Sequence, residues 1–271
     1  MKSLLNKLAG HLRQTKTTSL MAGILAFGPL QSASAQIIYS TGFEAPALVA
    51  GGPLAGQDGW SPGPPFLSPN AAVITASAKQ HKNGQTVVVD GADLVSSDFV
   101  NGLTGGYYDA IGSYRHNVTH DTGGTQTVRI SADVRLDGRV TPKSNFFSAS
   151  IAAIGLDDGG GASGIGELAI SSDGHVYGYS SQDLVPEFLT SAHVALGRSH
   201  NLAIEVDFAE RTYSFYVDGR WLGTFDFDPS ATSNILRRGS MITYAAPDTG
   251  NNKKADHTAN FDNFAIEVVS E

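Results

Sequence analysis

RTYSFYVDGRWLGTFD, residues Arg211–Asp226, is the stretch that decides the fold. Two runs rich in aromatic and β-branched residues flank Asp218-Gly219, the dipeptide that best supplies the two positive-φ residues of a type I′ turn. A two-residue turn sets the register. Val217 then pairs with Arg220, Tyr216 with Trp221, Phe215 with Leu222 and Thr212 with Phe225. Alternation along each strand puts Tyr213, Phe215, Val217 and Leu222 on one face, and Tyr216, Trp221 and Phe225 on the other. One apolar face belongs in a core. The aromatic face opposite needs a second explanation.

Upstream, Arg198–Phe208 alternates as well, with Leu202, Ile204, Val206 and Phe208 inward and Asn201, Ala203, Glu205 and Asp207 outward. Thr125–Asp137 sends Val128, Ile130, Ala132, Val134 and Leu136 one way, and Arg129, Ser131, Asp133 and Arg135 the other. Further strands are expected at Gln36–Phe43, Ala71–Ala78, Gln85–Asp90, Phe146–Leu156, Gly166–Ser171, His175–Tyr179, Ser240–Ala245 and His257–Val269. Ala45–Asn70, rich in Gly and Pro, reads as a long loop. No helical period persists beyond the N-terminal segment. About a dozen short strands at roughly ten-residue spacing predict one all-β domain, an antiparallel β-sandwich or jelly roll.

The first 35 residues read separately, as a secretory signal peptide. Lys2, Lys7, Arg13 and Lys16 form a basic stretch without acids, and Ser19–Phe27 is an apolar run too short to span a bilayer. Gly28-Pro29 breaks it, and Ala33-Ser34-Ala35 supplies a cleavage site. Export with cleavage near Ala35 follows, to the periplasm, the cell surface or the medium. The full chain carries a net charge of −8, and losing those four cations makes the remainder, Gln36–Glu271, more acidic. Such a field repels phosphate backbones and anionic lipid, so neither nucleic acid nor membrane is an expected partner. It also disfavours densely anionic glycans unless a local basic cleft or a bound cation reverses it. The chain has no cysteine, which excludes disulfides, thiol nucleophiles and thiolate metal sites.

HNLAIEVDFAERTYSFYVDGRWLGTF (His200–Phe225), YSTGFE (Tyr39–Glu44) and NFDNFAIEV (Asn260–Val268) together resemble the concanavalin A-like lectin/glucanase superfamily, in particular laminin G-like jelly rolls of exported bacterial proteins. The resemblance implies a concanavalin A-like jelly roll. It also implies a structural calcium, with Glu44 after the first strand and Asp262 in the last matching the superfamily's metal positions. Members of the superfamily bind sugars, hydrolyse or eliminate glycosidic bonds, or serve as interaction domains, so the resemblance speaks for fold more than activity.

Three constellations carry candidate chemistry. Glu205, Asp207 and Glu210 fit the ExDxxE signature of laminarinase-type glucanases in that superfamily, where the outer pair are nucleophile and acid/base. Glu205 and Asp207 share a strand face, but Glu210 falls where a turn into the next strand is expected, and an acidic strand face is the plainer explanation. Tyr114 and His116, with Arg115 and His120 nearby, offer residue types suited to lyase chemistry, but the Gln-Ile-His or Gln-Val-His strand that marks jelly-roll alginate lyases is absent, and a polar loop with satisfied histidines is the plainer explanation. Asp157 and Asp158 read as a solvated Gly-rich loop, and the Asn117-Val118-Thr119 sequon as coincidence. Tyr216 and Trp221, flanked by Arg129 and Asp133, form a platform on which pyranose C–H faces stack. The competing arrangement covers that face with the 45–70 loop, Trp60 and Phe66 packing on it. The expected function is binding of a neutral or weakly charged polysaccharide without turnover. A glycoside hydrolase, a polysaccharide lyase and a non-sugar interaction module are the alternatives.

Overall fold

The computed structural model describes residues 35–62, 72–77, 84–90, 110–138, 147–157, 159–180, 186–229, 231–245 and 257–270. The N-terminal segment, Phe66 and Asp158 lie outside the described residues. Ala33–Glu271 forms one compact unit. Its strands are β1 (Gln36–Thr41), β2 (Trp60–Pro62), β3 (Ala72–Ser77), β4 (Gly84–Asp90) and β5 (Ala110–Asp121). They continue with β6 (Thr127–Asp137), β7 (Phe147–Leu156), β8 (Ala162–Ser171), β9 (His175–Ser180) and β10 (Pro186–His193). The last five are β11 (Ser199–Asp207), β12 (Thr212–Val217), β13 (Arg220–Asp226), β14 (Ile235–Ala245) and β15 (Thr258–Ser270).

Two antiparallel sheets form an all-β jelly-roll sandwich. The first runs β13-β12-β11-β6-β15-β4-β3, with β1 also paired to β15, and the second runs β10-β9-β8-β7-β14-β5-β2. Alternation dictates which side chains meet between them. Every second residue of β6 is buried, and Leu202, Ile204 and Val206 of β11 join the same core as Ile151 of β7, Leu168 of β8 and Met241 of β14. Two glycines let aromatic rings from the first sheet lie against the backbone of the second. A Cβ at Gly166 would stand 2.8 Å from the Tyr213 ring, and one at Gly239 would stand 2.7 Å from Phe264. Both rings are buried.

The hairpin turn forms as expected, with Asp218 at φ 52° and Gly219 at φ 75°. Asp218 also ties the turn to the start of β11: its carboxylate accepts from the Asn201 amide at 2.9 Å and meets His200 Nδ1 at 2.8 Å. Val217 pairs with Arg220 and Tyr216 with Trp221, but the register then shifts. Phe215 faces Gly223 rather than Leu222, and Thr212 faces Asp226 rather than Phe225. Leu222 is the extra residue of a β-bulge, which returns Phe225 to the core side. There its ring packs on Tyr213 at 5.7 Å and Phe215 at 5.5 Å. Burying one more aromatic ring outweighs an unbroken ladder.

The described part of the 45–70 segment, residues 45–62, does not bring Trp60 over the hairpin. Trp60, on β2, pairs with β5 at the edge of the second sheet and is fully buried against Phe43 and Phe264, with ring centroids 5.9 and 5.0 Å away. Its role is in the core. Strands β5 and β10 occupy stretches where no clear alternation predicts a strand.

Candidate functional site

The outer face of the first sheet holds most of the candidate residues. Tyr216 and Trp221 stand opposite each other on β12 and β13. Trp221 is 58% exposed, and its indole Nε1 donates to Thr224 Oγ1 at 3.2 Å, which fixes the ring's orientation. Thr224 in turn bonds Ser214 at 2.7 Å. Arg129, two strands away on β6, holds its guanidinium 5.7 Å from the Tyr216 ring centroid and pairs with Glu205 at 3.3 Å. Burial pushes the Tyr216 phenol up from its ordinary value, and its hydrogen bond to the Glu205 carboxylate pushes the same way. The hydroxyl therefore stays protonated and donates. Asp133 is held at the far side by two amides, from Asn201 at 2.9 Å and Asn263 at 2.8 Å. The result is an aromatic pair with a rim of guanidinium, carboxylates and amides. Such a patch stacks a sugar ring and bonds its hydroxyls.

The ExDxxE residues do not converge. Glu205 is engaged by Arg129 and Tyr216. Asp207 Oδ1 accepts from the amides of Ala209 and Glu210, both at 2.9 Å, and so closes the turn that ends β11. Glu210 lies in that turn, exposed. A shallow depression of about 520 Å³ runs past it, lined also by Asp226 and Asp228, away from the platform. The pair of facing carboxyls that glycosidic hydrolysis requires is not made here.

The lyase candidates point the wrong way. Tyr114 is 1% exposed and belongs to the core. His116 follows on the same side of β5, stacked on Tyr39 with centroids 3.5 Å apart, its Nε2 at 3.1 Å from the Asp58 carbonyl. Burial holds this imidazole below its ordinary pKa, so it stays neutral as a packing group. His120 is tied to Gln126 at 2.8 Å. These residues serve the core and its edge. They are not proton donors in a groove.

Glu44 and Asp262 do come together. Both approach Gly42: a Cβ there would lie 3.7 Å from Glu44 Cγ and 4.0 Å from Asp262 Oδ1, with Asn263 Oδ1 at 3.6 Å. Asp262 is 3% exposed. Glu44 Oε1 accepts from the Gln85 amide at 2.8 Å. No group of three or more His, Cys, Asp or Glu residues is arranged to hold a metal among the described residues. A hard cation at this corner would therefore rely on two carboxylates plus amide or main-chain oxygens, a donor set that suits calcium.

On the second sheet, Glu167 escapes any motif. It lies on the outer face of β8, where Ser150 of β7 donates to one carboxylate oxygen and Tyr244 of β14 donates to the other at 3.1 Å. Burial dominates and pushes its pKa up to about 7, although both hydrogen bonds pull the other way. Only the pairing of three separated strands brings these groups together. The apolar surroundings LAI and GIG give no hint of it in sequence.

No family model matches the chain, and no curated protein matches it. Solved structures do. A conserved carbohydrate esterase of the Shiga toxin-encoding bacteriophage phi24B superposes with a TM-score of 0.53 at 13% identity, over 87% of this chain and 100% of that one. An endo-β-1,4-glucuronan lyase of the fungus Trichoderma reesei gives 0.49 at 13% identity over 85% and 94%, and an alginate lyase of Pseudomonas aeruginosa gives 0.46 at 16% over 71% and 84%. At these identities the first likeness shows the shared sandwich alone. The two lower scores carry no argument.

Proposed function

We propose that this chain is an exported carbohydrate-binding jelly roll of the concanavalin A-like, laminin G-like kind. Its ligand is a neutral or weakly charged polysaccharide held on the Tyr216–Trp221 platform. One observation carries the reading: Trp221 is a large aromatic left 58% exposed, with its indole nitrogen fixed by Thr224. Isolated exposed hydrophobics are ordinary, but an oriented Trp beside a Tyr, an Arg–Glu pair and two amide-held Asp oxygens has the composition of a sugar subsite. The phage structure that shares the sandwich is named a carbohydrate esterase, which agrees with this reading.

Export rests on the basic and apolar leader, 1–35, ahead of a single domain, 36–271. No helix among the described residues is long and apolar enough to cross a membrane. Glu44 and Asp262 would hold a structural calcium where the start of the chain meets β15. In that case a chelator lowers the melting temperature of the mature protein and added calcium restores it. A melting temperature unchanged by chelation removes the calcium.

Glycan cleavage is a second reading, favoured by the neutral-pH titration of Glu167. Hydrolysis takes two carboxyls, and Glu167 lies across from Ala152 and Tyr179, while Asp121, the other outward carboxylate among the described residues of β5, β7, β8 and β14, accepts from the Gly123 amide at the end of β5, so binding comes first. A reducing-end and unsaturated-product assay across a polysaccharide panel separates the two. Binding predicts no product from the wild type. Robust product abolished by Glu167→Gln contradicts it and moves the active centre to the second sheet.

A further inference from the structure

The turn between β8 and β9 gathers two histidines and an aspartate at one edge of the second sheet. Strand β10 is the edge strand there. It pairs with β9 from Pro186 to Phe188, the ladder then breaks, and pairing resumes where His193 meets His175. The two rings stand edge to face, with centroids 5.1 Å apart and planes at 76°. Gly174 permits that approach. It sits at φ 86°, and a Cβ there would lie 2.6 Å from His193 Cε1. Both histidines are open to solvent, the His175 side chain 51% exposed.

Hydrogen bonds fix the tautomer of each ring. His175 Nδ1 lies 3.0 Å from Asp173 Oδ2, and His193 Nε2 lies 2.8 Å from the Asp173 carbonyl oxygen. A carboxylate and a carbonyl only accept, so these two ring nitrogens carry the protons and donate. In a neutral imidazole the lone pair then sits on the other nitrogen, Nε2 of His175 and Nδ1 of His193. Metal-ligating histidines are held in this way, giving the ring N–H to a carboxylate or a main-chain carbonyl so that orientation and tautomer are set. The orienting carboxylate is itself held. Asp173 Oδ1 accepts from Ser171 Oγ and, at 3.2 Å, from the His175 amide, which leaves Oδ2 turned to the imidazole.

The spacing of the rings agrees. Two imidazoles on one tetrahedral ion, each nitrogen about 2.0–2.1 Å from it, bring their ring centres to roughly 5 Å. We infer that His175 and His193 bind a borderline divalent metal ion of the zinc or copper class, with Asp173 orienting the first ligand. Imidazole nitrogen suits such ions, whereas calcium takes oxygen, so the site is chemically distinct from the Glu44–Asp262 corner. Among the described residues no third His, Cys, Asp or Glu joins the pair, and water completes the coordination shell. The ion ties the far end of β10 to β9 across the break in their ladder, and so secures an edge strand. The site stands or falls separately from the Tyr216–Trp221 platform.

Calorimetry of the chelator-treated, untagged mature protein with zinc chloride, in buffer already containing calcium, tests the inference. Zinc is expected to bind at one ion per chain and to raise the melting temperature, as a ligand of the native state alone must. His175→Gln and His193→Gln are each expected to weaken zinc binding roughly tenfold or more and to lose the rise in melting temperature. Both side chains are exposed, so without metal both variants are expected to melt close to the wild type. If one variant fails to fold, the other decides. Absence of zinc binding by the wild type overturns the inference, as does wild-type affinity in either folded variant.

Discussion

At the residue scale, Glu167 makes a prediction about pH. Its carboxyl has an ordinary value of 4.5 and rises to about 7 in the folded protein, because burial penalises the charged form. A raised folded value means the native state binds more protons than the unfolded chain between those limits. The contribution of Glu167 to stability is therefore fully present below about pH 4.5 and lost as pH rises to about 7. Glu167→Gln is expected to flatten this window and to be more stable than the wild type at pH 8, by up to roughly 3 kcal/mol. Urea melts of both proteins from pH 4 to 8 check it, and parallel stability curves would remove the buried-acid account. Legibility also differs residue by residue. Trp221, Tyr216 and Arg129 are readable, because strict alternation next to a two-residue turn fixes their face. Tyr114 and His116 are not, since nothing in Ser96–Thr122 shows which side of β5 points inward. Glu167 acquires meaning only from strands distant in sequence.

At the element scale, the β12–β13 hairpin shows where local signals stop. Asp218-Gly219 dictates the turn and the first two pairs, because both positive-φ residues are local requirements. The bulge at Leu222 depends on what lies beneath the hairpin: Phe225 is drawn inward by Tyr213 and Phe215, and sequence spacing does not display that attraction. Deleting Leu222 is expected to give an unbroken ladder with Phe225 still opposite Tyr213, so the ring stays inward. Phe225→Ala, which removes the ring, is expected to cost about 2 kcal/mol from lost burial and the deletion less, read from denaturant melts. Phe225→Ala as stable as the wild type would show that the ring is not what the bulge serves. Gly239 makes a parallel case on β14. Gly239→Ala would push a methyl to 2.7 Å from the Phe264 ring. An overpacking loss of about 1–3 kcal/mol is expected, again from denaturant melts.

At the scale of the whole molecule, the sandwich presents two unlike outer faces. The first sheet offers an exposed aromatic patch whose charges are already paired. The second holds a carboxyl, Glu167, that burial raises to about 7. The all-β class and the alternating strands β6 and β11 are plain in sequence because each turns one face to a common core. The covering of each face is a tertiary matter, and here it matters most that Trp60 joins the core instead of roofing the hairpin. That leaves the platform open, and the central claim is that it binds sugar. The most direct measurement is affinity electrophoresis of the mature protein in gels containing neutral polysaccharides, wild type beside Trp221→Ala. The account predicts that at least one neutral polysaccharide retards the wild type and that Trp221→Ala loses the retardation, with a stability change within about 0.5 kcal/mol because the ring is exposed. Equal retardation of both proteins, or of neither, would contradict it.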